Sequence, residues 1–422
     1  MRKSRLIIVI TLAACAALAW LGAPIYGFKA HQGKLPLSPF GWVVLPDEAP
    51  SQSRLDDPDY AQAGNIALEI LRRHRAKIAA PALTAAVAVQ GQLVWSGAVG
   101  WEDVERQRAA TPATVFRIGS TSKAVTATVL ARLYERGVVD LDTPIDAYLS
   151  SLPNEAWRAI TLRQLASHQS GLPHYKENTD LVGLYRSIAL RRQFDDVRDA
   201  VSVFDDSELL FAPGQGFHYS TLGTVLLAAT MAHATDKSYR TLVAQEITQP
   251  LGLDSIAEAP PSAAGHADHA IPYFSDGHRL RPWRDVNLSH RLPGGGFAAT
   301  SRDLARLGAA WLDEKYLSAS TRARFWSPQV LADGQVNAQN YALGFRVGEW
   351  VSPDGKRYVH ANHGGVSRGG QSWLMVLPEQ HMSIAINTNR KTDEFADFAM
   401  VYRELLTTFD AVGRIAPGIA PN

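Results

Sequence analysis

Cysteine is almost missing from this 422-residue chain: Cys15 is the only one. An intramolecular disulfide is thereby excluded, and so is a cysteine-built metal cage. Charge of one sign is scarce too. Lysine and arginine number 42 against 41 aspartates and glutamates, a net charge of +1, and no long run concentrates either sign. Such a balance gives no electrostatic footprint for a nucleic-acid partner. Internal repeats and low-complexity tracts are absent as well, which removes repeat architectures from consideration. What remains is 46% hydrophobic and 20% charged. That composition suits a globular chain with a real core, long enough for one large two-part domain or two ordinary ones.

One uncharged run stands apart. Arg2, Lys3 and Arg5 precede Leu6–Phe28, and the next charge is Lys29. A basic start followed by an apolar run predicts export. A bilayer-spanning helix needs about 20 residues, so the run also fits an uncleaved anchor. Its flanking charges would keep the start cytoplasmic and place the rest outside. Two processing readings stand beside the anchor. Ala17-Leu18-Ala19 resembles a signal-peptidase site, which would give a periplasmic or secreted protein, and Leu12-Ala13-Ala14-Cys15 resembles a lipobox. Residues 1–32 are therefore expected to be a signal peptide or membrane anchor, the segment that partners the membrane. Pro36, Pro39, Pro46, Pro50 and Pro58 predict an extended linker over 33–59. A folded domain over 60–412 and a tail over 413–422 complete the expected organisation.

Within the domain, Ala63, Ile66, Ala67, Ile70 and Leu71 recur at helical spacing. Strand-like runs at Thr84–Val89 and Leu93–Val99 flank Gln90-Gly91-Gln92, a hairpin signal. From Ser120 to about Trp326 the pattern is mostly helical, with Val125, Val129, Leu130 and Leu133 forming one stripe. Strands are expected again at Tyr341–Trp350, Arg357–Asn362, Ser372–Leu377 and Met382–Asn387. A last helix carries Phe395, Phe398, Tyr402 and Leu405. This order predicts a mixed α/β (α+β) fold: one antiparallel sheet built from distant segments with flanking helices, plus an inserted all-helical lobe over about 120–326. A ligand cleft belongs where the two lobes meet.

Three motifs carry chemistry. The first is Gly119-Ser120-Thr121-Ser122-Lys123, opening the helical block. Residues three apart on a helix share a face, so a partly desolvated Lys123 amine can take the Ser120 proton. A capping serine beside a surface lysine gives the same spacing. The second is Gly214-Gln215-Gly216-Phe217-His218-Tyr219, where a turn can aim a phenol into a cleft. A neighbouring lysine cation would lower the Tyr219 pKa and make it a proton shuttle; a tyrosine packed under a helix start is the alternative. The third is His363-Gly364-Gly365-Val366, between late strands. Gly364 and Gly365 leave room for a substrate backbone, and the strand's N–H groups can join the Ser120 amide in an oxyanion hole. A hairpin loop with a surface histidine is the plainer reading. His266-Ala267-Asp268-His269 has metal-ligand residue types but no spaced partner, and reads as a loop.

Taken in order, these motifs resemble the serine β-lactamase-like family, which includes class C β-lactamases, D-alanyl-D-alanine carboxypeptidases and related esterases. Leu141-Asp142-Thr143-Pro144-Ile145, Ser167-His168-Gln169-Ser170-Gly171-Leu172 and Gly294-Gly295-Gly296-Phe297 add to the likeness, which covers roughly residues 60 to 410. Ser170-Gly171-Leu172-Pro173-His174-Tyr175 and Tyr219-Ser220-Thr221 are most similar to the mitochondrial branch. The resemblance implies a β-lactamase/transpeptidase-like fold and a serine hydrolase, exported as the N-terminal run predicts, acting on esters, amides or peptides through a Ser120 acyl-enzyme. Lys123 and Tyr219 would move its proton, and the amides of Ser120 and Val366 would hold the oxyanion. The partner would be a small-molecule or peptide substrate, with no cofactor implied. A penicillin-binding sensor that acylates without turnover is the alternative. Two departures bear on substrate. Thr221 stands where many members have an amide-gripping asparagine, and His363 stands where lactamases have a carboxylate-attracting lysine.

Overall fold

The computed structural model describes residues 2–32, 34–149, 151–152 and 154–413. Most of the expected tail, from residue 414 on, lies outside the described residues. The apolar N-terminal run forms one helix, α1 (Arg2–Ala30). A short strand, β1 (Ser51–Leu55), and a helix, α2 (Ala61–Lys77), lead into the sheet. Alternation then sets the strands. Leu83, Ala85, Val87 and Val89 enter one core cluster, while Ala86 and Ala88 enter the other. This strand, β2 (Ala82–Val89), turns at Gln90 and Gly91 into β3 (Gln92–Asp103). Both turn residues have positive φ, 50° and 81°, as a tight hairpin matched to strand twist requires.

The helical lobe follows, built chiefly on α3 (Ser122–Glu135), α4 (Leu181–Ala189), α5 (Thr221–Thr235) and α6 (Ser301–Ala310). Residues Thr221 to Ala232 of α5 are all buried, so this helix is the axis of the lobe rather than an amphipathic surface element. The chain returns through β4 (Arg346–Val351), β5 (Arg357–Ser367), β6 (Gly370–Leu377) and β7 (Met382–Thr388), and ends in α7 (Val401–Gly413). The eight-stranded sheet runs β4-β5-β6-β7-β2-β3-β1, with Arg108–Ala109 pairing beside β3. Its named pairings are antiparallel. Ala67, Leu71, Leu405 and Phe409 from α2 and α7 cover one face. On the other, α6 lies so close that a Cβ on Gly308 would collide with Ser383, which is why that face carries small residues such as Ala86 and Ala385. The resulting two-lobed body is the β-lactamase/transpeptidase-like fold.

Three local expectations need correction. Residues 43–55 are not simply extended linker. Val43–Val44 pairs with Arg279 and Leu280, and β1 pairs with β3; Pro46, Pro50 and Pro58 fall outside these strands and merely punctuate them. The inserted lobe is mostly helical but carries short strands at Ala257–Glu258, Tyr273–Asp276, Arg279–Pro282 and Phe297–Ala299. His363-Gly364-Gly365-Val366 lies inside β5, paired with Leu374, Trp373, Ser372 and Gln371, rather than between strands.

Candidate active site

Ser120 sits on a tight turn, Gly119–Thr121, that feeds directly into α3. That turn is pressed against β5. Gly119 has φ 53°, and a Cβ there would run into the backbone of Val366. A Cβ on Gly365 would overlap Ile118 O, and one on Gly364 would meet the Phe395 ring. The two strand glycines thus admit the protein's own turn and an aromatic ring. The expectation that they clear space for substrate is overturned. The Thr121 hydroxyl lies 3.3 Å from the carbonyls of His363 and Ser372, and Ser122 Oγ donates to Gly119 O at 2.6 Å. These bonds staple the turn to the sheet.

Lys123 lies one helical turn beyond Ser120 and is only 2% exposed. Its Nζ is 2.7 Å from Gly294 O, 3.0 Å from Thr221 Oγ1 and 3.4 Å from Ser120 Oγ. Burial, reinforced by the cations Arg346 and Arg291, holds its pKa well below the ordinary lysine range. A neutral amine has two N–H groups and one lone pair. Gly294 O can only accept and takes one N–H; the Thr221 hydroxyl takes the second. The lone pair is then left for the Ser120 hydroxyl, so all three contacts are satisfied without a proton to spare.

Tyr219 precedes α5, with Lys123 Nζ 4.8 Å from its ring centroid. Its pKa is pushed up to about 12: burial outweighs the opposing influence of Arg346 and Ser120. The expected depression by a lysine cation is therefore overturned, because burial of the phenol is the largest influence on it. His168 fixes the phenol's position. Its ring centroid is 4.4 Å from that of Tyr219, its Nδ1 accepts from Ser220 N at 3.3 Å, and its carbonyl accepts from His218 N at 2.9 Å. His168 adopts φ 62° to do this, an uncommon conformation for a non-glycine residue.

Thr221 joins Ser120, Lys123 and Tyr219, and its hydroxyl accepts from Lys123 while the residue also lines the cavity. His363 has no exposed surface. Its Nδ1 lies 2.8 Å from Gly364 O, a pure acceptor, so Nδ1 carries the proton and Nε2 accepts from Tyr341 Oη at 2.9 Å. Burial and the cations Arg346 and Lys123 disfavour its charged form. Its side chain props Tyr341 behind the site and does not line the cavity in front of Ser120.

That cavity holds about 590 Å³, with Ser120, Thr221, Gly294, Val366, Arg291 and Arg368 on its wall. His174 and Tyr175 also face it. Burial, then Lys123 and Arg291, depress the His174 pKa to about 3. Sequence reasoning missed His168, His174, Tyr175 and Arg291 as site residues. The first three stand within segments whose likeness was noted; Arg291 had no signal beyond its place just before the glycine triplet.

The family model described as Beta-lactamase matches residues 69–408. The human "Serine beta-lactamase-like protein LACTB, mitochondrial" is 26% identical over 407 residues, covering 78% of this chain and 74% of that protein. The esterase EstB of Burkholderia gladioli is 29% identical over 213 residues, covering 48% of this chain and 53% of its own. A class C beta lactamase from Rhodobacter sphaeroides superposes with a TM-score of 0.65 at 21% identity, over 83% of this chain and 99% of that one. This last likeness is one of fold.

Proposed function

The chain belongs to the Beta-lactamase family, and from that premise we propose that it is a serine hydrolase working through an acyl-enzyme on Ser120. The observation that carries the proposal is the triple contact of Lys123, a buried amine with its lone pair available to the serine hydroxyl. Ser120 Oγ attacks the substrate carbonyl while its proton passes to Lys123 Nζ. The amides of Ser120 and Val366 receive the developing oxyanion where the Gly119 turn packs against the Val366 backbone. The bond to the leaving group breaks, and the departing atom takes a proton through Tyr219, a phenol at neutral pH. Water then attacks the Ser120 ester, gives its proton to the same amine, and restores the hydroxyl.

Substrates are esters, amides or short peptides. With Thr221 engaged and His363 buried, two polar grips on a β-lactam are absent. Each is worth about 1–3 kcal/mol, or roughly 10- to 100-fold in rate. The protein is exported, with α1 as an anchor and the catalytic body outside the cytoplasm. Among the described residues, Arg5–Ala30 is one helix long and apolar enough to cross a membrane, at mean hydropathy 2.5.

A fluorophosphonate probe should label Ser120, and Ser120→Ala should abolish labelling; unchanged labelling sinks the nucleophile assignment. p-Nitrophenyl esters should turn over repeatedly and nitrocefin slowly. Nitrocefin kcat/KM near 10⁶ M⁻¹s⁻¹, about the middle of the enzyme range, would refute the substrate reading. Long-lived penicillin labelling without turnover of any ester would make the protein a sensor.

A further inference from the structure

The mouth of the Ser120 cavity is built partly from the end of α1. Phe28, with His31 and Gln32 just beyond the helix, lines the same wall as Ser120, Arg291 and Arg368. This helix end is docked rather than loose. Phe28 lies under the Arg368 guanidinium at 5.2 Å, and His31 stacks on Trp283 with ring centroids 3.9 Å apart. Further back, Tyr185 Oη donates to Leu21 O at 3.2 Å and Arg191 donates to Trp20 O at 3.0 Å.

These contacts fix depth. At 1.5 Å per residue, the uncharged run ending at Phe28 is about 34 Å long, close to the roughly 30 Å of bilayer hydrocarbon. Phe28 therefore marks the outer edge of the apolar layer, and the α4 contact at Leu21 lies about 10 Å deeper. The α4 residues Leu181 and Val182 are 77% and 61% exposed, which a leaflet would cover and water would not favour.

Charge around the mouth points the same way. Arg191, Arg281, Arg284, Arg291 and Arg368 gather around His31 and the cavity, close enough that Arg291 and Arg284 disfavour the Arg368 cation and Arg191 that of Arg284. Among the described residues none of the five forms an ion pair. Backbone carbonyls hold three of them: Arg191 through Trp20 O, Arg284 through Ala189 O and Ile188 O, and Arg291 through Ser187 O. Their charge is thus positioned but not neutralised. Asp393 is the single acidic side chain on the cavity wall, shared with Lys391 and facing the nearby Arg390.

We propose that the Ser120 cavity opens onto the membrane surface and takes its substrate from there, as the acyl ester of an anionic phospholipid. The inference rests on the reading of Ser120 as an acylating nucleophile and adds where its substrate resides. Arg291 and Arg368, on the cavity wall, receive the phosphate, and the acyl chain remains in the leaflet beside Leu181 and Val182 until its ester carbonyl meets Ser120. Ser120 Oγ bonds to the acyl carbon, the glycerol oxygen leaves with a proton, and water releases the fatty acid.

The test uses the full chain reconstituted in vesicles. Fatty-acid release from phosphatidylglycerol vesicles should exceed that from phosphatidylcholine vesicles at least about 10-fold, the scale of one charge-assisted contact. Arg291→Gln and Arg368→Gln should each collapse that ratio toward one. Leu181→Asp with Val182→Asp should lower release from vesicles relative to monomeric dihexanoyl phosphatidylglycerol. Equal rates on the two vesicle types would overturn the anionic site. A dispersed short-chain lipid cleaved as fast as the vesicle-borne one would overturn membrane delivery. If p-nitrophenyl butyrate is hydrolysed but neither lipid is, the lipid proposal alone fails; if Ser120 neither labels nor turns over any ester, the hydrolase reading fails with it.

Discussion

Burial disfavours the Lys123 cation, and that has two measurable consequences. Activity requires the free amine, so kcat/KM for an ester should fall as pH drops through the lowered Lys123 pKa. Lys123→Arg, which cannot surrender its proton, should lose at least about 10²-fold at every pH tested. Stability carries the same signature. Because the folded pKa lies below the unfolded one, the unfolded chain binds more protons across that window, and stability rises with pH until about 10.4, the free lysine value. Lys123→Met has no such slope. Its melting temperature relative to the parent should therefore be higher at pH 7 than at pH 9, the gap shrinking by up to about 2.7 kcal/mol for two pH units. A gap independent of pH would show that Lys123 is charged in the fold. Ser120 and Lys123 were legible in the sequence because helical spacing places them on one face and the Tyr219 and His363 motifs follow in the family's order; spacing alone fits a capping serine and a surface lysine as well. The electrostatics of Tyr219 were not: a local motif shows the lysine nearby but not the burial that disfavours its charge and raises the phenol pKa.

At the level of elements, the site depends on how closely β5 approaches the Gly119 turn. Gly365→Ala should push these apart, costing about 1–3 kcal/mol in stability as overpacking does, together with a larger drop in kcat than in KM, since the oxyanion amides separate. A Gly365→Ala enzyme with unaltered kcat would break the link between strand and turn. His168→Ala tests the other support. It strips the acceptor from Ser220 N, leaving a buried donor unpaired at about 1–3 kcal/mol, and frees the Tyr219 ring. Here too, pattern gave part of the answer. The hairpin at Gln90 and Gly91 and the alternation of β2 and β7 follow from local sequence. The glycines of β5 were read as leaving room for substrate, but a turn more than two hundred positions away fills the space at Gly365 and the Phe395 ring fills that at Gly364, and no periodicity reports either. β1 was hidden for a related reason: Ser51–Leu55 is mostly exposed and carries little apolar alternation, and becomes a strand because β3 offers a free edge.

Over the whole molecule, α1 is both a long apolar N-terminal helix and a part of the body. Met1 should persist in the mature protein, which should stay in membranes after a high-salt wash. An intact mass beginning at Trp20 would instead indicate cleavage after Ala19, and a diacylated Cys15 would indicate the lipobox. The sheet adds a constraint of its own. Its centre is the pairing of β7 with β2, where Met382 meets Val89 and Thr388 meets Leu83. Those partners are separated by nearly the entire domain, so contact order is high and loop closure precedes any reward from the central ladder. A ribosome must deliver almost the last strand before the first hairpin can find its neighbour. Until then β2 has an open edge, and the Gly119 turn lacks the β5 strand against which it is set. Under the proposed export, the chain would still be unfolded when it is threaded, and its nucleophile would be assembled only on the far side.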